Sequence, residues 1–147
     1  MTRRLTRLAA YLWASPNTAV GLLLAGLALA SRGRAARVAG TIEAHGGWLS
    51  GLLARWPPPR GGVEALTLGH VILGDSAASL ERNRAHERAH VRQCECWGPL
   101  FIPAYLGASL WARARGRDAY LDNRFEREAR AHALTPQGPL EPPVPRA

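Results

Sequence analysis

The sequence predicts an α+β fold in which a short β-sheet is followed by helices and preceded by an N-terminal apolar helix. Residues 8–30 carry no charge, the segments between residues 36 and 74 are rich in β-formers, and the apolar period becomes helical from residue 79. At 147 residues the chain has the length of one typical domain. We expect this division: a membrane segment over 1–35, a folded domain over 36–134 and a Pro-rich disordered tail over 135–147.

The apolar N-terminal segment is long enough to span a bilayer with some tilt. Pro16 is a potential break, which would leave a shorter apolar helix from about Thr18. Residues 28–30 (Ala-Leu-Ala) also fit a signal-peptide cleavage site, but the arginines that follow them argue against cleavage. We therefore expect an uncleaved transmembrane helix, with the bacterial inner membrane as the location. A signal peptide and a buried helix are the alternatives.

The chain is strongly basic, with a net charge of +8, and all its basic residues are arginines. They are spread from Arg3 to Arg146, and no RNA-binding or zinc-finger motif is present. We therefore expect no nucleic-acid partner, because arginines that flank an apolar segment fit a membrane surface better. Cys94 and Cys96 are too few and too close for a disulfide framework.

Three or four short strands are expected between the apolar segment and the later helices. Residues 37–45 alternate loosely and end at Gly46-Gly47, which indicates a strand and a turn. Residues 56–62 (Trp-Pro-Pro-Pro-Arg-Gly-Gly) predict a loop. Residues 65–74 are apolar and rich in β-formers, which predicts one largely buried strand.

A helix is predicted to begin near Ser79, a suitable N-cap, and to run to about Trp97. Its helical wheel separates two groups of side chains. One face holds Asn83, His86, Glu87, His90 and Cys94. The opposite face holds Arg84, Arg88, Arg92 and Glu95. We expect the arginine face to be solvated and the histidine face to point into the protein.

Two further segments complete the predicted domain. Residues 97–112 carry no charge and contain two prolines, which fits either a re-entrant or interfacial membrane segment or a buried core helix. Residues 118–133 predict another helix. Its inner stripe is expected to be Leu121, Phe125, Ala129 and Ala133.

The most specific motif is at residues 86–90, which read His-Glu-Arg-Ala-His and match H-E-x-x-H. On a helix, His86 and His90 point the same way and can reach one metal ion, with Glu87 placed to take a proton from a metal-bound water. A catalytic zinc site usually has a third protein ligand. Cys94 lies about one helical turn too far away, and no evident turn brings Cys96 round. The remaining candidates are carboxylates of a later helix: Asp118, Asp122, Glu126 and Glu128.

With these residues, the segment 65–133 resembles a minimal, membrane-associated, gluzincin-type zinc metallopeptidase of bacterial type. In that family a strand precedes the H-E-x-x-H helix, and a Glu in a Glu-x-x-Ala setting on a later helix supplies the third ligand. The matching segment is 126–129, so the resemblance implies Glu126, whereas the helical wheel does not choose between Glu126 and Glu128. The Asp that the family usually has after this Ala is Arg130 here.

The resemblance implies a zincin-like domain over residues 36–134 that uses Zn²⁺ to hydrolyse peptide bonds. His86, His90 and Glu126 would hold the zinc, and Glu87 would take a proton from the zinc-activated water and pass it to the leaving amine. The family's upstream strand binds the substrate as an added strand, a part that would fall to residues 68–73. Candidates for a group that polarises the substrate carbonyl are His70, Tyr105, Tyr120 and His132.

The sequence therefore predicts a membrane-associated zinc metallopeptidase that cleaves peptides or membrane proteins. The cleft of so short a chain would be small, so a partner or a second copy in a homo-oligomer would complete it. One alternative is a non-enzymatic membrane protein in which the H-E-x-x-H match is degenerate and its polar groups are satisfied between helices. Another is a basic module that binds anionic lipid or a second protein.

Overall fold

The computed structural model describes residues 2–55 and 63–134. The loop expected over 56–62 and the disordered tail expected over 135–147 lie outside the described residues. The chain is α+β, as the sequence predicts, and its elements follow in this order: α1 (Thr2–Trp13), α2 (Ser15–Ala30), β1 (Arg34–Val38), β2 (Thr41–His45), α3 (Trp48–Arg55), β3 (Ala65–Leu68), β4 (Val71–Gly74), α4 (Ala77–Trp97), a 3-10 turn (Gly98–Leu100), α5 (Phe101–Ala114) and α6 (Arg124–Ala133).

The N-terminal apolar segment is two helices rather than the single helix expected. Helices α1 and α2 meet at Ala14 with a bend of 65° between them. Pro16 lies in the first turn of α2, where its missing N–H costs no helical hydrogen bond. No single helix in the described part of the chain has the length and apolar character needed to cross a membrane. The bent pair of α1 and α2 together has the length and composition of a membrane span.

The four strands form one mixed sheet in the order β1-β2-β4-β3. Strands β1 and β2 form one antiparallel hairpin, β3 and β4 form another, and β2 runs parallel to β4. The four strands agree with the three or four expected, but the segments 37–45 and 65–74, each read as one strand, contain residues of both strands of a hairpin. The turns lie at Ala39-Gly40 and Gly69-His70, and Gly69 has a φ of +63°. A Cβ atom at Gly69 would collide with Thr18 of α2, so this turn requires glycine.

The sheet lies between two helical layers. On one face, Ala44, Val71 and Leu73 form a core cluster with Ala25 and Ala28 of α2. The α2 segment therefore contributes buried side chains to the same core as the sheet. Side chains alternate between the faces of a strand, so the neighbouring positions point toward the other layer.

Helix α4 covers the opposite face of the sheet. The register places Glu43, Ile72 and Thr67 side by side on β2, β4 and β3. Ile72 packs with Leu80 and Val91 of α4. Helix α4 packs on this row of three strand residues, and the packing positions the H-E-x-x-H segment over the edge strand β3.

The arginine face of α4 is not the solvated back that the sequence suggested. Arg84 makes a bidentate ion pair with Glu43, with Nε–Oε1 and Nη2–Oε2 distances of 2.8 and 2.9 Å. Glu43 is only 5% exposed. The prediction was wrong at Arg84 because α4 is packed on more than one side, and a buried carboxylate on the sheet requires a partner of opposite charge.

The beginning of α4 also differs slightly from expectation. The N-cap is Ser76, and Ser79 is the N3 residue whose hydroxyl bonds back to the Ser76 amide in a capping box. The two serines therefore satisfy two of the free amide groups at the helix start reciprocally.

The helix that carries the downstream acidic residues is shorter than expected. Helix α6 begins after Asn123, a fully buried residue whose Oδ1 accepts a hydrogen bond from the amide of Phe125. Phe125 and Ala129 are buried as predicted, whereas Leu121 precedes the helix and is 54% exposed. The expected inner stripe therefore holds only from Phe125 onward.

Candidate metal centre

Two helices bring three potential metal ligands together. Helix α4 supplies His86 and His90, and α6 supplies Glu126. The two Nε2 atoms lie 3.1 Å apart. The His86 Nε2 atom is 3.1 Å from Oε2 of Glu126, and the His90 Nε2 atom is 3.2 Å from Oε1 of the same carboxylate. These residues are the one group of His, Cys, Asp and Glu side chains within the described ranges that could hold a metal ion in this way.

The spacing of these atoms suits a small tetrahedral cation. Ligands about 2.0–2.1 Å from a tetrahedral zinc ion are separated from one another by about 3.4 Å. The separations of 3.1–3.2 Å observed among His86, His90 and Glu126 are only slightly shorter. A modest outward movement of the side chains would therefore accommodate the ion.

Gln93 determines which nitrogen of His90 faces the centre. Its Nε2 donates hydrogen bonds to the backbone carbonyl of Phe125 and to Glu128, at 3.1 and 3.2 Å. Its Oε1 must therefore be the atom that faces His90 Nδ1, 2.8 Å away. An amide oxygen only accepts, so Nδ1 carries a proton and donates a hydrogen bond to Oε1 of Gln93. In the neutral ring, the lone pair of Nε2 then points toward His86 and Glu126.

The carboxylate of Glu126 has two different oxygen atoms. Oε1 accepts a hydrogen bond of 2.7 Å from the hydroxyl of Tyr105. Oε2 is buried and accepts no hydrogen bond from the described residues, although His86 lies beside it. Oε2 therefore lacks a well-formed hydrogen bond, has His86 and Arg130 as its charged neighbours, and could accept a bond to a metal ion.

Electrostatics at this carboxylate favour its ionised form. Burial raises the pKa of Glu126, but the neighbouring His86 and His90 lower it more, so the net pKa is well below its usual range. The pKa values of the Tyr105 and Tyr120 phenols are raised by burial and by the charge of Glu126. Both phenols therefore stay protonated, and the phenol of Tyr105 donates to the carboxylate.

The centre needs a positive charge. The ionised Glu126 faces two imidazoles inside the protein, and the side chains of His90 and Glu126 are only 8% and 4% exposed. Burial lowers the pKa of His90, but Glu126 and Glu87 raise it more, and the net pKa is above its usual value. Arg130 supplies one positive charge, with Nη1 3.9 Å from Oε2 of Glu126, and a closer cation at the imidazoles would be a proton or a metal ion bound to the same lone pairs.

Glu87 lies beside the three candidate ligands without being one of them. Its carboxylate is 5% exposed and accepts a hydrogen bond of 2.6 Å from the hydroxyl of Thr67 on strand β3. Burial raises the pKa of Glu87, although the charges of His90 and His86 partly oppose this. A carboxylate with a raised pKa can both accept and return a proton.

The other downstream acidic residues have different partners. Glu128 binds the amide of Gln93 and does not belong to the ligand group. Asp118 caps the turn before α6 by accepting from the amides of Tyr120 and Leu121, and Asp122 accepts from the amide of Asp118. The structure therefore separates Glu126 from the three alternatives that the sequence left open.

Two candidate polarising groups have structural partners. His70 pairs with Glu95 at 3.0 Å and stacks on Tyr11 at a ring distance of 3.9 Å, so it joins α1 and α4 to the turn between β3 and β4. Tyr105 is bound to Glu126. Cys94 is fully buried in a cluster with Phe101, and neither cysteine belongs to the ligand group.

The sequence did not reveal that Gln93, Thr67 and Tyr105 form hydrogen bonds to His90, Glu87 and Glu126, respectively. Gln93 could have been found, because it lies three residues after His90 on the same helical face. Thr67 and Tyr105 reach the centre from other elements: the sequence offered Tyr105 only as a polarising group, and nothing in the local sequence of Thr67 marks it. Arg130, at the position where the resembled family has Asp, places Nη1 3.9 Å from Oε2 of Glu126.

The chain was compared with known protein families, curated proteins and solved structures. No protein-family model matches the chain, and neither the curated proteins nor the solved structures gave a match.

Proposed function

We propose that the protein is a membrane-associated, zinc-dependent metallopeptidase that hydrolyses peptide bonds. The observation that carries the proposal is the convergence of His86, His90 and Glu126 from two helices, with Glu87 buried beside them. These are the residues of an H-E-x-x-H motif and a Glu from a later helix, which is the donor set of one class of zinc hydrolases.

The donor set fits zinc better than it fits the hard cations. Two imidazole nitrogens and one carboxylate leave a fourth tetrahedral position open, as catalytic zinc sites do. Calcium and magnesium prefer sites made of oxygen ligands. The Oε2 atom of Glu126, which lies 3.1 Å from His86 Nε2 and accepts no hydrogen bond from the described residues, would supply the third ligand atom. Zinc bound here would lower the pKa of a coordinated water toward neutral and polarise a substrate carbonyl.

Glu87 supports this chemistry by holding and moving a proton. The raised pKa of its carboxyl group fits a group that accepts a proton and passes it to a leaving amine. The hydroxyl of Thr67 fixes one carboxylate oxygen and so holds the side chain in place. Tyr105 holds Glu126 in the same manner. The site thus has residues that orient a metal ligand and the proton acceptor separately.

The edge of the sheet offers a place for an extended peptide. Residues 68–73 are not the single substrate-binding strand that the resemblance implies, because most of them form a turn and the internal strand β4. Strand β3 is one of the two edge strands of the described sheet and carries Thr67, the partner of Glu87. A substrate added alongside β3 would bring its backbone close to the metal centre.

Association with a membrane is supported by exposed apolar side chains on two helices. Leu23 and Leu27 of α2 are 64% and 49% exposed, and Leu110 of α5 is 67% exposed. Soluble monomers rarely expose apolar patches of large size. We propose that these helices lie against a membrane, with the bacterial inner membrane as the expected location and membrane proteins or peptides as substrates.

Metal analysis and one substitution test the proposal. The protein purified without chelator should contain about one zinc per chain, and less than about 0.2 would rule out the enzyme. Glu87→Gln should keep the zinc and abolish hydrolysis of a mixture of fluorescence-quenched peptides. Glu81→Gln, on the exposed side of the same helix, is the matched control and should keep both. Loss of zinc in Glu87→Gln would contradict the assignment of Glu87 as a proton acceptor that does not bind the metal.

A second function is favoured by the closeness of the same groups. The side chains of His86, His90 and Glu126 already approach within 3.2 Å of one another, so a protonated imidazole would satisfy the carboxylate without a metal. The protein would then be a non-enzymatic membrane protein with a structural ion pair between α4 and α6. Zinc content near zero in a protein that is folded and stable would support this function over the first.

A further inference from the structure

A cavity of about 450 Å³ opens between α5 and α6, away from the metal centre. None of the three candidate metal ligands lines it. Its size falls in the range of small-molecule sites, which is about 300–1,000 Å³. Neither the motif nor the proposed peptidase activity accounts for this cavity.

One part of the cavity is apolar. Small residues of α5, Ala104, Gly107 and Ala108, leave space along the helix. The rings of Trp97, Trp111 and Phe125 complete this part. Trp111 is 63% exposed, so the apolar part is continuous with the surface of the protein. Such a surface fits a hydrocarbon chain or another flat apolar group.

The rim of the cavity is basic. Arg115, Arg117 and Arg124 line it together with Asp122, which gives three positive charges against one negative charge and a net charge of +2. Two of the guanidinium groups are held over aromatic rings. Arg115 lies 4.3 Å from the centre of the Trp111 ring, and Arg124 lies 5.2 Å from that of Trp97. Oδ2 of Asp122 is already bonded to the amide of Asp118.

We propose that this cavity binds the headgroup and the first part of an acyl chain of an anionic phospholipid. Guanidinium groups bind phosphate through paired hydrogen bonds, and the three arginines of the rim are exposed to do so. The apolar part of the cavity receives the chain. A free phosphate would leave the rings of Trp97 and Trp111 unused, which is why the occupant is a lipid.

The outer side of α5 points to a bilayer as the source of this lipid. Leu106 and Leu110 are 55% and 67% exposed on the same helix that supplies Trp111 to the cavity. A tryptophan next to arginines is typical of the headgroup level of a membrane. The inference shares the membrane location with the proposed function but is independent of the metal centre, so the two can fail separately.

Vesicle sedimentation tests the proposal. The full chain should bind vesicles of phosphatidylcholine with 30 mol% phosphatidylglycerol about tenfold more strongly than vesicles of phosphatidylcholine alone. The double variant Arg115→Gln/Arg117→Gln should lose most of this preference. The matched control, Arg55→Gln/Arg82→Gln on the exposed sides of α3 and α4, removes the same charge and should keep it. Equal losses in the two double variants would overturn the proposal, because general charge would then explain binding.

Soluble probes separate a lipid from its parts. Dihexanoylphosphatidylglycerol should shift the tryptophan emission of the full chain, and the shift should be smaller in Trp111→Phe, in which only Trp97 still lines the cavity. Glycerol phosphate, which lacks the chains, and dihexanoylphosphatidylcholine, which lacks the net charge, should each bind at least about tenfold more weakly. Equal binding of glycerol phosphate would show a phosphate site instead and overturn the proposal. Zinc content should be the same in all these variants, so failure here leaves the metal centre untouched.

Discussion

His90 and Gln93 form a hydrogen bond of 2.8 Å between Nδ1 and Oε1, and this bond connects the candidate metal centre to the packing of two helices. The amide nitrogen of Gln93 donates to the backbone carbonyl of Phe125 on α6, next to Glu126. One side chain of α4 therefore orients an imidazole of its own helix and holds the helix that supplies the carboxylate. Residues in this position are often nearly as important to a metal site as the ligands.

Gln93→Leu is expected to weaken zinc binding about 10- to 100-fold, because the imidazole of His90 loses the acceptor that fixes its tautomer. A competition titration with a chromogenic zinc chelator would measure the change. Glu128→Gln is the matched control, because Glu128 touches Gln93 but not His90. Equal affinities of the wild type and Gln93→Leu would show that Gln93 serves packing alone, and a thermal melt without zinc would measure that contribution.

Removal of the metal is expected to lower the melting temperature. Zinc at a hundred times its Kd stabilises a folded protein by about 2.7 kcal/mol, which corresponds to about 10 °C for a domain of this size. The wild type should therefore melt about 10 °C lower after chelation and recover when zinc is added. Differential scanning fluorimetry would measure both steps. His86→Ala should show no response to zinc, and a response equal to that of the wild type would contradict the ligand assignment.

Glu126→Ala is expected to lower zinc affinity more than Glu128→Ala does. Oε2 of Glu126 faces His86 at 3.1 Å, whereas Glu128 reaches the centre only through Gln93. Truncation of Glu126 also leaves the hydroxyl of Tyr105 without its acceptor, so Glu126→Gln, which keeps an oxygen, separates this effect. Calorimetric titration with zinc would measure all three affinities. The opposite order would move the third ligand to Glu128.

The grouping at the metal centre could be predicted from the sequence to a useful degree. The spacing of His86 and His90 follows from the helical period, and it holds because α4 is a regular helix over this stretch. The choice of Glu126 came from the resemblance, since the helical wheel left Glu128 equally possible. The structure brings Glu126 to the histidines, and the reason lies in the buried neighbours Phe125 and Ala129, which fix the rotation of α6.

The two hairpins could not be predicted from composition, because a continuous apolar segment does not show where one strand ends and a tight turn begins. Residues 65–74 read as one apolar run, and only the positive φ of Gly69 and its contact with Thr18 reveal the turn. The position of Arg84 was missed for a related reason. Its partner Glu43 is distant in the sequence, so the pair becomes visible only when β2 and α4 lie together.

The two cysteines are expected to differ in reactivity. Burial raises the pKa of the Cys94 thiol to about 12. A raised pKa leaves this thiol protonated at pH 8, and the protonated form does not react with disulfide reagents. Cys96 is exposed, although burial and nearby carboxylates raise its pKa as well. Ellman's reagent should therefore detect at most one thiol in the native protein and both in urea, and Cys96→Ser should abolish the native signal. Rapid reaction of both would contradict the packing of Cys94.

Deletion of residues 2–30 is expected to unfold the domain, whereas deletion of residues 2–13 should leave it folded but less stable. Helix α2 buries Ala25 and Ala28 against the sheet, and Asn17 donates a hydrogen bond of 2.8 Å to the carbonyl of Gly98. Loss of these contacts would open one whole face of the sheet to water. Circular dichroism melts and zinc titration of the two truncated chains would distinguish the effects. A cooperative melt and full zinc binding after the longer deletion would show that the segment is separable, as the division at residue 35 expects.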